Sequence, residues 1–553
     1  MSKATRRKRP AAAGKQERTA PTPQPRESAG RRAFWQPLWF AVAAVVASGY
    51  VFSQVRNFFD ADIFYHLGHA RVYATQGPFV SEFPWVTSSV IRTYAADIWY
   101  GFHLLLIPFV YLPSPALQMK AAGAFSVLAL LLMFYLVMRR SRLQYPYLWP
   151  FLLLFPAALR LTMTRPHIIS MGLAVLLFSF ALSGGSWSVF FISLAMSFIH
   201  LSLFWLAIVV AGVVALVKWR TEKVFEGRKL AAMLGGLIAG WLLRPNPLGA
   251  AKLVYVQVVQ LMLVKGRGEI NFPNELYPIS AENLFKVFGY FTALWLIVAA
   301  LFLATVFLHR ITLSPSKRSL LWSSLALSVL FFEMTLLMSM RSIDQWAPFA
   351  VIFIAAGASC LLTPGEAGEK PAAAGRKRVV VLSLGAIFLV FMCWHSMARY
   401  RYLTRTQGIE PYRMRAAAQW LNRHSRPGEI VFHAGWNNFA ELFYWNPQNY
   451  YIGGMDPIFE YAYDPARYWK ADHLANNEAA SQTWGTYDVG GARLEETYRV
   501  IREDFGASYL LVDKSETPTL YGYAKGDARF LRRYDDRQAA IFQLADAPRG
   551  KAD

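Results

Sequence analysis

Two aspartates two residues apart, Asp60 and Asp62, open a stretch rich in groups that can move protons or hold cations. His66 and His69 follow, then Glu82, then Asp97 and His103, with aromatic residues between them. Two carboxylates at this spacing can share a divalent cation, Mg or Mn, with phosphate oxygens, or one of them can act as a base. The same pair could also cap the helix that follows. His66 and His69 are three apart and share a helix face. A fourfold metal site would need further ligands at suitable spacing, and none lies nearby, so a hydrogen-bonding role against substrate suits His66 better. Glu82 and Asp97 join the candidate substrate-binding groups.

Basic candidates lie farther along. Arg165 and His167 flank Pro166 at the end of an apolar run. Arg244 precedes Pro-Asn-Pro, and Arg341 stands three residues before Asp344. An arginine at such a position suits a lipid phosphate through paired hydrogen bonds. It could equally snorkel from a helix end or, for Arg341 and Asp344, form a local ion pair. Glu333, inside an apolar run, is a candidate buried partner for one of these arginines. Near the C-terminus, Trp436-Asn437-Asn438-Phe439, Glu441, Met455-Asp456-Pro457, Tyr461 and Tyr463 mix aromatic and polar groups that suit sugar rings. Packing of one part of the chain on another explains them more simply.

These residues need elements to hold them. The chain has 553 residues, 55% of them hydrophobic, with a mean hydropathy of +0.26. Long apolar runs between short loops predict a polytopic α-helical membrane protein. Residues 1–33 are a basic, apolar-poor tail expected to be disordered and cytoplasmic. The first apolar run, about 34–55, reads as a retained signal anchor. Further spans are expected near 117–138, 146–161, 166–183, 187–200, 202–217, 229–243, 286–308, 318–338, 345–363 and 378–396, about eleven in all. His103–Leu112 is apolar but too short to cross and is read as an interfacial helix within the outer loop 56–116. With that choice the clusters Arg139–Arg142, Lys218–Lys229, His309–Arg318 and Lys370–Arg378 all fall on the cytoplasmic side, and the candidate acids and arginines on the other. Residues 34–396 thus form the membrane domain. From 397 to 553 the chain alternates helix and strand patterns: strands at 428–433, 508–513 and 539–544, helices at 412–423 and 493–505. A soluble α/β domain on the outer side is expected.

The net charge of +22 sits mostly in the tail and the cytoplasmic loops, so no nucleic-acid partner is expected. Cys360 and Cys393, the two cysteines, lie in apolar runs and predict no structural disulfide. The soluble part has no GxGxxG, Walker A or GxSxG sequence.

One span followed by an outer loop opening Asp62-x-Phe64-Tyr65-His66-Leu67 resembles the first outer loop of GT-C superfamily glycosyltransferases. The form is nearest to oligosaccharyltransferase catalytic subunits. The acidic Asp97, the short apolar helix after it and the paired Arg139-Arg140 are similar to the protein O-mannosyltransferase and lipid A aminoarabinose transferase type. The resemblance implies an integral membrane glycosyltransferase, with an inverting displacement as the expected mechanism. It implies a polyprenyl-phosphate sugar donor, a glycan, lipid or protein acceptor, and work on the non-cytoplasmic face of a bacterial plasma membrane, with the C-terminal domain in the periplasm. Asp62 would be the catalytic carboxylate or a metal ligand, Asp60 would assist it, and Arg165 would hold the carrier phosphate. The family's second acidic motif is replaced here by Arg165-Pro166-His167, and the WWDYG-type sequence is absent. A transporter would also use outward acids and arginines, but shows internal repeats and broken midplane helices. A non-catalytic scaffold would leave the Asp pair unexplained.

Overall fold

The computed structural model describes residues 26–156, 158–308, 313–362, 371–476, 478–479 and 495–545. The described residues up to Ala43 belong to one compact unit and those from Ala44 onward to another. The tail expected to be disordered lies outside the described residues as far as residue 25, and the first helix, Arg26–Ser53, begins earlier than its apolar run. The loops at 309–312 and 363–370 and the start of the expected 493–505 helix also lie outside.

Seven helices among the described residues are long and apolar enough to cross a membrane: Trp35–Ser53, Pro115–Arg140, Leu201–Glu222, Pro247–Arg267, Ala281–Phe307, Pro315–Leu337 and Met340–Cys360. The sequence places their starts well. Ser114, Asn246 and Ser280 each accept a backbone N–H of the first turn, and proline follows at the first helical position of two of them, where no donor is lost. The expected set of about eleven differs in four places; at 229–243 the helix, Gly227–Leu242, has only 16 residues. Residues 146–161 are broken into Trp149–Leu152 and Ala158–Thr162, because Pro156 lacks the N–H a continuous helix would use. Pro247–Arg267 is helical throughout, with a wider π turn at Tyr255–Gln260, although Lys252, Gln257 and Gln260 dilute its apolar pattern. His167–Ser183 and Ser186–Ile199 are helices where expected, yet shorter than a full crossing. The last expected span lies inside the Pro371–Gln407 helix.

The C-terminal domain is a five-stranded mixed sheet. Its strands are β1 (Ile430–His433), β2 (Tyr450–Tyr451), β3 (Tyr509–Asp513), β4 (Phe530–Asp535) and β5 (Ala539–Leu544), in the order β2-β1-β3-β5-β4. β1 pairs parallel with β2 and β3, while β5 pairs antiparallel with β3 and β4. Central β3 is buried along its length, and edge strand β4 is mostly exposed. Phe432, Ile501, Leu510, Val512 and Phe542 lie in its core. The sequence anticipated β1, β3 and β5; β2 is too short, and β4 too polar, to show a pattern.

This domain is fastened to the outer loop. Thr87 and Ser88 donate their N–H groups to Tyr451 and Ile452, both at 2.8 Å, and the Trp85 indole donates to Pro447 at 2.6 Å. The Asp62–Gln76 helix lies against Phe439–Trp445. Gly68 permits this approach: a Cβ there would meet the Phe443 ring at 2.8 Å. The helix that begins with Asp62 is thereby held from two sides.

Candidate active site

Asp62 begins its helix and Asp60 precedes it, where the positive end of the helix dipole favours carboxylates. Asp60 also accepts the Asp62 N–H at 3.3 Å. Facing them is Arg165, in the turn before the His167–Ser183 helix. Its Nε and Nη2 grip both Asp60 oxygens at 2.5 and 2.7 Å, its Nε lies 2.9 Å from Asp62 Oδ2, and its Nη1 donates to Glu275 at 2.8 Å. Glu275 also pairs with Arg160 and Arg341. Arg160 in turn holds Asp344 with two bonds, at 3.0 and 2.6 Å. Three guanidinium groups thus interlock with four carboxylates, leaving one carboxylate in excess.

Asp62 is the member with the weakest hold, a single contact to Arg165. Burial pushes its carboxyl up to about 7; Arg165 opposes this, while Asp60 and Glu275 add to it. Burial would raise Glu275 as well, but Arg165, Arg341 and Arg160 outweigh it and keep that carboxyl well below its usual range. The proton that the cluster carries near neutrality therefore belongs to Asp62.

The cluster forms one wall of a cavity of about 410 Å³. Asp62, His66, Arg165, His167 and Arg341 face it, as do Trp99 and, from the soluble domain, Met455 and Asp456. The cavity also has an apolar lining, from Leu261, Met262, Met334 and Met338. Gln257, on the π turn, also lines the cavity, and its Oε1 is buried with no partner among the described residues. Such turns recur at functional sites. Met455 has φ of +77°, a conformation a non-glycine residue adopts only when its surroundings enforce it.

Behind His66 runs a hydrogen-bonded chain. Asp97 accepts from the Trp99 N–H at 2.8 Å, Tyr73 at 2.9 Å and His103 Nδ1 at 2.6 Å. Burial opposes its ionisation, but His103, His69 and the Trp99 amide prevail and hold it well below the usual carboxylate range. An ionised Asp97 requires the His103 proton on Nδ1. His103 Nε2 lies 2.8 Å from His66 Nδ1, so the two rings share one hydrogen bond and the other nitrogen of His66, Nε2, is left for the cavity. Burial, then the neighbouring His103 and Arg165, keep His66 neutral.

Two places have the residue types to hold a metal. His69, Asp97 and His103 offer ligand atoms within 4.8 Å of one another. The two imidazoles are stacked, however, at 4.4 Å and 23°, so their in-plane lone pairs run nearly parallel and do not meet at one ion. Asp60 and Asp62 have the oxygen donors that Mg or Mn prefers, but those oxygens are turned onto Arg165.

Several expected site residues stand elsewhere. Glu82 is exposed and away from the cavity. Asp97 acts from beneath, through histidines. Arg244 is 4% exposed and donates to the carbonyls of Asp97, Ser197 and Trp241 at 2.8, 2.6 and 3.2 Å. It is a strut between segments, with no donor turned to a phosphate. Arg165 spends three of its five N–H donors on Asp60 and Glu275, which leaves one on each terminal nitrogen. Arg341 pairs with Glu275, not with its neighbour Asp344. Glu333 is exposed and has no ion pair among the described residues. In the soluble domain Glu441 is buried against Arg413 at 2.5 Å, which is packing, whereas Met455 and Asp456 reach the cavity, which is not. Glu275 and Arg160 escaped notice. A lone acid between Pro273 and Pro278 was the only local signal for the first, and the second sat within an assumed span.

No family model matches the chain, and no curated protein matches it. Its structure is similar to that of the Archaeoglobus fulgidus oligosaccharyltransferase in the apo form, with a TM-score of 0.54 over 92% of this chain and 75% of that one, at 11% identity. It is similar to the mycobacterial arabinofuranosyltransferase AftD, with a TM-score of 0.52, 92% of this chain, 42% of that one and 13% identity. It is similar to apo ArnT from Cupriavidus metallidurans, with a TM-score of 0.50, 94% and 100% coverage and 13% identity. At such identities it is the fold that is shared. The chain is a polytopic helical membrane protein with a C-terminal α/β domain, and it shares the fold of these solved structures.

Proposed function

We propose that this protein is a membrane glycosyltransferase that moves a sugar from a polyprenyl-phosphate-linked donor to an acceptor on the non-cytoplasmic face of the plasma membrane. The observation that carries this reading is Asp62 itself: a carboxylate held by one contact, on the wall of a cavity lined by arginines and by membrane helices. The apolar lining suits the lipid chain of the donor. Its phosphate falls to Arg341, whose side chain is 34% exposed and whose Nε is without a partner among the described residues. Asp62 takes the proton of an acceptor hydroxyl as that oxygen attacks the anomeric carbon, and His66 hydrogen-bonds a substrate hydroxyl and orients it. The carrier phosphate leaves, its charge met by Arg341. A single displacement inverts the anomeric centre.

The test uses the purified protein in liposomes with a panel of polyprenyl-phosphate sugars, following release of the lipid phosphate. Arg341→Ala is expected to raise KM for the donor about tenfold or more, with a smaller effect on kcat, because it binds a group present before the reaction. A product with retained anomeric configuration would refute the displacement. The pH profile is a second check. Asp62 must be ionised to act, and its pKa is raised to about 7. Activity should therefore be full above that value and fall about tenfold per unit below it. A profile flat from pH 5 to 8 would remove Asp62 as the base.

A further inference from the structure

Asp60, Asp62 and Glu275 come from two segments far apart in the chain and converge on one point. Three carboxylates directed at one point are a donor set suited to a hard divalent cation. What stands at that point is the Arg165 guanidinium. Both oxygens of Asp60, at 2.5 and 2.7 Å, Asp62 Oδ2 at 2.9 Å and Glu275 Oε1 at 2.8 Å are turned onto it. The other Glu275 oxygen is held by Arg160.

We infer that Arg165 takes the place of a divalent metal in this site, and that the site works without one. This deepens the transferase reading and rests on it for the word "works"; the occupancy of the cage does not. Two physical points support it. A dication among these carboxylates would sit against the guanidinium, and like charges at that range repel strongly in a site largely removed from water. The charge count points the same way: with three arginines in place the cluster already lacks only one positive charge, and a dication would turn that small negative excess into a buried positive one. Arg165 does what the ion would do for Asp60 and Asp62, fixing their geometry, but it cannot dissociate. The bidentate grip on Asp60 leaves that residue no oxygen to offer, so Asp60 positions Arg165, and Asp62 keeps the free oxygen.

The experiment is Mn2+ binding to the full-length protein in detergent, read by electron paramagnetic resonance and by thermal shift, and needs no substrate. Wild type is expected to bind no Mn2+ at this site and to show the same melting temperature with Mn2+ as with EDTA. Arg165→Ala empties the centre of the cage and is expected to bind one Mn2+ and to gain thermal stability from it. Adding Asp60→Asn should abolish both effects. One Mn2+ bound to wild type and lost in Asp60→Asn would overturn the inference. So would a folded Arg165→Ala variant that binds none, because the carboxylates would then not be a metal-type cage. If Arg165→Ala does not fold, the wild-type and Asp60→Asn measurements decide alone. Transfer assays with and without EDTA separate the two ideas. A wild type that transfers sugar only with added metal contradicts the inference. A wild type that transfers none under any condition counts against the proposed function and leaves the Mn2+ result standing.

Discussion

Asp62→Asn is expected to lower sugar transfer about a hundred- to ten-thousand-fold, the usual range for a lost general base, while the protein stays folded. Asparagine keeps the volume and can still accept from Arg165 Nε, now 2.9 Å from Asp62 Oδ2. It removes the one carboxylate in excess of the guanidiniums. Its melting temperature should therefore equal or exceed that of wild type, which separates loss of chemistry from loss of fold. Donor binding should survive, since the phosphate contact is assigned to Arg341. A variant that keeps more than about a tenth of wild-type kcat would show that Asp62 takes no proton.

The second large effect is on stability. Glu275→Ala is expected to destabilise the protein by about 3–5 kcal/mol, the range for breaking a buried ion pair by removing one partner. Glu275 bonds Arg160, Arg165 and Arg341 together. Its loss leaves three guanidinium groups, two of them largely buried, facing Asp60, Asp62 and Asp344 with a hole between them. Glu275→Gln should cost less, because an amide oxygen still accepts one of the three donors. Glu82→Ala is the matched control: Glu82 is exposed, and its removal should shift stability by less than about 0.5 kcal/mol. Thermal unfolding in detergent, compared across the three variants, checks the order. Equal melting temperatures for Glu275→Ala and Glu82→Ala would mean that the ion cluster is not what holds this side of the cavity.

The sequence was most informative where a property is local. Apolar run length located most of the membrane helices, and the caps at Ser114, Asn246 and Ser280 lie where local rules put them. Pro247–Arg267 was missed because its polar residues are spaced so that no long clean run survives, although a lipid-facing helix tolerates them when they turn inward, as Gln257 does toward the cavity. The Asp60–Asp62 pair was visible because both residues sit side by side in the chain. The partners of that pair were not visible. Arg165 and Arg244 both precede proline and look alike in sequence. One is surrounded by carboxylates and the other by backbone carbonyls, and only the path of segments 47 to 147 residues away decides which. Glu275 has no neighbour in sequence that hints at three arginines, and Asp456 looked like packing until the domain's attachment to the outer loop brought it to the cavity.

The most direct test of the account is made in the cell envelope. Total glycans and lipid-linked sugars are compared by mass spectrometry in wild type, in a deletion strain, and in the deletion carrying either the wild-type gene or Asp62→Asn. The account predicts loss of one glycan together with build-up of its polyprenyl-phosphate sugar, restored by the wild-type gene and not by Asp62→Asn. Unchanged glycans in the deletion strain, or full rescue by Asp62→Asn, would contradict it.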